Sequence, residues 1–178
     1  QFRRQRQMCI RDRFKNGIAT VYQELLVFPE LTVAENIFLG HTPKTKIGLI
    51  GWKKIKADSR KILDSLDSHD LDVNARVGSL SVANRQRVEI AKALSQKTKV
   101  LIMDEPTAAL ADTDVQKLIT VVKRLREQGV SILYVSHKMP EIFELSDKVS
   151  VLRDGNHVGT FNINDVSEDL LVSKMVCR

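Results

Sequence analysis

Apolar runs and helical stripes alternate along most of this chain. Val100-Leu101-Ile102-Met103 is apolar without alternation, as in a strand whose sheet is covered on both faces. Val130 to Val135 reads as a second such strand, and Gly17 to Glu24 as a short one ending in polar residues. Helical stretches separate them. Thr32-Val33-Ala34-Glu35 has the capping-box pattern and starts a helix through Ile37 and Leu39. Trp52, Ile55, Ile62, Leu63 and Leu66 recur at helical spacing, with Lys53, Lys54, Lys56, Arg60 and Lys61 mostly off that stripe as a solvated basic face. Ser81 is a good N-cap for a helix carrying Val88, Ile90, Ala91, Ala93 and Leu94. Asp112 or Thr113 can cap a helix with Val115, Leu118, Ile119, Val122 and Leu125 on its apolar face, stopped by Gly129. Pro140 suits the first turn of a helix through Leu145. Lys148–Leu152 and Val158–Phe161 form a hairpin around Asp154-Gly155, and Ser167 caps a last helix to Val176. The pattern predicts an α/β fold with a mostly parallel sheet.

At 178 residues this is one domain, or one domain plus a subdomain, and an apolar fraction of 43% supports a core. The longest apolar stretches are strand length, so no transmembrane helix is expected, and no signal-peptide pattern is visible. Cys9 and Cys177 lie at opposite ends, which gives no disulfide framework and fits a reducing cytosol. The net charge of +6 invites a nucleic-acid reading, but residues 3–13, RRQRQMCIRDR, hold five arginines and one aspartate. The remainder carries no basic stripe, so no nucleic-acid partner is expected. That opening segment also resembles the conceptual translation of a transposase-type sequencing adapter. We therefore expect residues 1–13 to be a library artefact and exclude them from fold reasoning.

Candidate chemistry gathers at the strand ends. Asp104 and Glu105 close the apolar run, and Pro106 stops the strand. Two acids at the carboxyl end of a buried strand sit where open α/β sheets bind ligands. They suit a hydrated Mg²⁺, held by Asp104, and a water polarised by Glu105 for in-line attack on a phosphate. Ser81, at a helix start with free backbone N–H groups, is a candidate anion site.

The run VLIMDEPTAALAD (100–112) resembles the Walker B and D-loop segments of ABC-type ATPases. YQEL (22–25), ELTVAENIFLG (30–40), VEIAKALS (88–95) and SHKMPEIFELSD (136–147) resemble the same family in the same order, most closely its monosaccharide importers for ribose, galactose or xylose. The resemblance covers residues 14–178. It implies a partial P-loop NTPase core with an α-helical subdomain, about residues 25–95, inserted in it. It further implies that Gln23 is the Q-loop glutamine, coordinating Mg²⁺ or the attacking water, and that His137 holds the γ-phosphate. Ser81 and Gln86 would belong to the signature motif that meets the partner domain's ATP, and Asp112 to the interface-crossing D-loop.

Two departures stand out. Val82 and Ala83 replace the two signature glycines, and each Cβ limits close approach of backbone to phosphate. No GxxxxGK[ST] loop occurs anywhere in the chain; the family places it upstream of the Q-loop. The apolar loop Leu25–Leu31 either docks a partner, in the family the coupling helix of a membrane subunit, or tucks into its own domain. The implied function is the ATP-hydrolysing subunit of a bacterial sugar importer, peripheral on the cytoplasmic face of the inner membrane; this chain is expected to be a truncated first ABC domain of it, inactive by itself. Its partners would be a second ABC domain, the transmembrane permease subunits and, indirectly, a periplasmic sugar-binding protein. A soluble non-transport ABC ATPase and a non-enzymatic degenerate ABC domain are the alternatives.

Overall fold

The computed structural model describes residues 16–45 and 47–176; the expected artefact segment lies outside them. The chain divides into two compact units between Val135 and Ser136.

In the first unit, β1 (Ile18–Val21), β2 (Val100–Asp104) and β3 (Ser131–Val135) form a parallel sheet in the order β1-β2-β3. Val21 pairs with Met103, and Asp104 with Val135. Between β1 and β2 the chain makes α1 (Val33–Ile37), α2 (Trp52–Ser65) and α3 (Val82–Leu94). α4 (Asp112–Glu127) connects β2 to β3.

Local signals set the helix starts. The Thr32 hydroxyl accepts from the Glu35 amide, and the Glu35 carboxylate accepts from the Thr32 amide, a complete capping box. Ser81 Oγ accepts from the Asn84 amide at 3.3 Å. α4 departs from expectation. Its N-cap is Ala111, with no side-chain bond, and Asp112 joins Asp114 in the first turn, where negative charge meets the positive end of the helix.

Burial of the sheet also departs from expectation. Ala19, Val21, Leu101 and Met103 are buried on one face, whereas Ile102 is half-buried and Leu133 and Val135 are exposed. An unbroken apolar run records what a strand tolerates on both faces; among the described residues only one face is closed. Trp52 is likewise exposed, and α2 buries Ile55, Ser59 and Leu63 instead.

The second unit holds α5 (Met139–Leu145), β4 (Lys148–Arg153), β5 (Asn156–Asn162) and α6 (Glu168–Met175). β4 and β5 pair antiparallel around Asp154-Gly155, both at positive φ, the geometry of a tight two-residue hairpin turn. Met139, Ile142, Val151 and Leu171 form its core, and Ser167 caps α6 through the Leu170 amide.

Candidate functional site

Parallel register brings the carboxyl ends of β1, β2 and β3 to one edge of the sheet. Gln23 lies there, exposed, two residues beyond β1, and Asp104 is the exposed last residue of β2. Glu105 follows with φ +44, a left-handed conformation that costs a side-chain-bearing residue about 1–2 kcal/mol. Its amide donates to the Val135 carbonyl at 2.9 Å, and its carbonyl accepts from the Ala108 amide at 3.1 Å. The backbone therefore turns sharply at the second acid and is pinned to the end of β3. Pro106 and Thr107 are buried beneath that turn.

These donors fit Mg²⁺. The ion favours hard oxygen ligands and is commonly held by one or two carboxylates, with water and phosphate oxygens completing its shell. The Asp104 carboxylate and the Gln23 amide oxygen supply that chemistry. Among the described residues no group of three or more His, Cys, Asp or Glu could cage a metal.

The other candidates are placed as follows. Ser81 is exposed at the start of α3, beside an exposed Val82. Asp112 is exposed at the start of α4. His137 is exposed two residues beyond β3 in the chain, in the second unit; beside it Ser136 Oγ accepts from the Lys138 amide at 3.0 Å. Gln86 is only 4% exposed, and its amide nitrogen has no hydrogen-bond partner. Two arginines of α3 bond within the chain. Arg85 donates to the Leu80 and Gly78 carbonyls. Arg87 makes a two-pronged bond to Asp70, at 2.8 and 2.7 Å.

The sequence model of the ABC transporter family matches residues 3–108, more than half of the chain. The chain belongs to the ABC transporter family. It is 49% identical over 169 residues to the ribose import ATP-binding protein of Caldanaerobacter subterraneus, which covers 95% of this chain and 34% of that protein. It is 46% identical over 165 residues to the ribose import ATP-binding protein of Geobacillus kaustophilus, covering 92% and 33%. The chain thus spans about a third of the length of these relatives. Its fold is that of an ABC cassette. A nucleotide-free ATP-binding cassette from an ABC transporter superimposes with a TM-score of 0.74 at 24% identity, covering 94% of this chain and 71% of that one. A cassette in its ADP conformation gives 0.73 at 25%, covering 90% and 68%.

One further region of this ABC chain is shaped by residues that the sequence did not single out. The backbone of the apolar loop after Gln23 is tied into its own domain. Buried Asn36 accepts from the Phe28 amide at 2.8 Å and donates to the Phe28, Leu31 and Thr32 carbonyls. On the other side α3 grips Leu26. Glu89 Oε1 accepts from its amide at 3.3 Å, and Lys92 Nζ donates to its carbonyl at 3.0 Å. Yet the Leu26 and Phe28 side chains are exposed. The backbone thus tucks into its own domain, while these apolar side chains face out. Burial pushes the Glu89 carboxyl up to about 7, against the opposing pull of the Leu26 amide and the Lys92 charge. The available signal was Glu89 and Lys92, the two polar residues in the otherwise apolar VEIAKAL run.

Proposed function

We propose that this chain is part of the ATP-binding subunit of a bacterial sugar importer, and that the intact subunit uses ATP binding and hydrolysis at the carboxyl edge of this sheet to drive import. The observation that carries the reading is the Asp104–Glu105 pair, with Glu105 turned by its backbone at the tip of β2 and Gln23 at the same edge. Asp104 and Gln23 hold the Mg²⁺ that accompanies ATP, and the ion neutralises charge on the phosphates. Glu105 polarises the water that attacks the γ-phosphorus as the bond to the bridging oxygen breaks. His137 holds the γ-phosphate.

A second ABC domain supplies the opposite wall of the nucleotide. Ser81 and Asp112, both exposed at helix starts, face that domain, and Ser81 acts on its ATP. The Leu26 and Phe28 side chains meet the transmembrane permease subunits, and a periplasmic sugar-binding protein delivers the cargo. The cassette works at the cytoplasmic face of the membrane. Ribose import by the similar proteins supports this reading.

The test is a Glu105→Gln change at the chromosomal locus, read as uptake of labelled ribose, galactose and xylose. Uptake of one sugar is expected to fall by about a hundredfold or more, the scale of losing a group that acts in the transition state. Unchanged uptake of all three overturns the importer reading. The purified chain contains no GxxxxGK[ST] loop. It is expected to show only background ATP turnover in a phosphate-release assay; turnover above background would mean that another segment cradles the phosphates.

A further inference from the structure

Between α1 and α2 the chain throws out a short arm. The Thr45 amide donates to the Leu49 carbonyl at 2.7 Å, and the Gly51 amide to the Pro43 carbonyl at 2.9 Å. Lys44 and Ile50 pair antiparallel, and Gly48 turns the tip at φ +83, where a Cβ would be strained. The arm is therefore preformed. It is also apolar where nothing packs on it: Ile47 is 81% exposed, Leu49 64%, and Ile50 and Trp52 47% each. Large apolar side chains this exposed, within six positions, mark an interaction surface. Exposed lysines flank it, Lys44 on one side and Lys53 and Lys54 on the other, and Lys54 leans toward Asp58 at 3.4 Å.

We propose that this arm docks on an anionic lipid bilayer. Two observations select that occupant. Trp52, at the base, has the apolar ring and polar N–H that suit a membrane–water interface. The flanking lysines complement negative headgroups. The contact is separate from the sheet edge and does not depend on the importer reading. It would hold the helical segment against the membrane beside any permease contact.

Trp52 is the only tryptophan in the chain, so its emission reports on the arm alone. The full 178-residue chain is titrated with vesicles of phosphatidylcholine and with vesicles of mixed phosphatidylglycerol and phosphatidylcholine. A blue shift and intensity gain with the mixed vesicles, reversed by salt and absent with phosphatidylcholine, is expected. The exposed double variant Ile47→Ser/Leu49→Ser is expected to lose the shift or weaken the apparent affinity by about tenfold or more. Lys44→Glu/Lys53→Glu is expected to act similarly, with circular dichroism unchanged in both. Co-sedimentation with mixed vesicles without a Trp52 shift means that the arginine-rich opening segment binds instead, and overturns the proposal. A shift that survives Ile47→Ser/Leu49→Ser overturns it too, as does the absence of any vesicle binding.

Discussion

Glu89 lies inside α3 with one oxygen on the Leu26 amide and the other without a hydrogen-bond partner. Its carboxyl titrates near 7 in the folded chain, against an ordinary value of 4.5. Between those values the folded state holds a proton that the unfolded state has released. The contribution of this carboxyl to stability is therefore fully present below about 4.5 and is lost as the pH rises toward about 7. Glu89→Gln keeps an acceptor for Leu26 and removes the charge. It is expected to raise the melting temperature at pH 8 by about 2–5 °C while changing it little at pH 5. A lower melting temperature at pH 8 would show that Leu26 needs the carboxylate. Residues of this kind are the hardest to read from sequence. The Asp104–Glu105 pair was legible because an apolar run and a proline bracket it. Asn36, Gln86 and Glu89 were not, because a polar residue's burial is decided by segments distant in the chain.

At the scale of elements, the loop after Gln23 hangs between α1 and α3. Asn36→Ala removes four side-chain hydrogen bonds, two to Phe28 and one each to Leu31 and Thr32. The expected cost is about 1–3 kcal/mol in denaturant unfolding, since the Phe28 amide loses its partner while the Phe28, Leu31 and Thr32 carbonyls keep backbone donors. Hydrogen exchange at the Phe28 amide is expected to quicken while the β2 amides stay protected; slow exchange at Phe28 would mean that Glu89 and Lys92 suffice. Ser81→Ala is expected to cost about 1 kcal/mol through loss of the α3 cap. Caps and turns were legible because their chemistry is local: Thr32 with Glu35, Ser81, Ser167, and Asp154 with Gly155. α4 was misread at its cap because Asp112 and Thr113 suit the role equally well by type, yet the chain enters the helix at Ala111.

For the whole molecule, the alternation of strands and helices was enough to give the parallel sheet and the hairpin unit. The open sheet face was not legible, since composition does not say which layers cover a strand. Each unit buries its own apolar residues. Leu171→Ala, in the core of the second unit, is expected to cost about 2–5 kcal/mol there. Protection against hydrogen exchange is expected to fall across α5, β4, β5 and α6 and to persist in the first sheet; uniform loss would show that the units unfold together.

The left-handed backbone at Glu105 has a consequence for anyone engineering this cassette. Glycine and asparagine occupy that conformation with less strain, so the position proposed to activate water is one where the fold itself favours another residue. A library selected for heat tolerance alone would drift at 105 toward variants that are sturdier and inert. Screens for robust variants therefore need a readout of the proposed sugar uptake in every round.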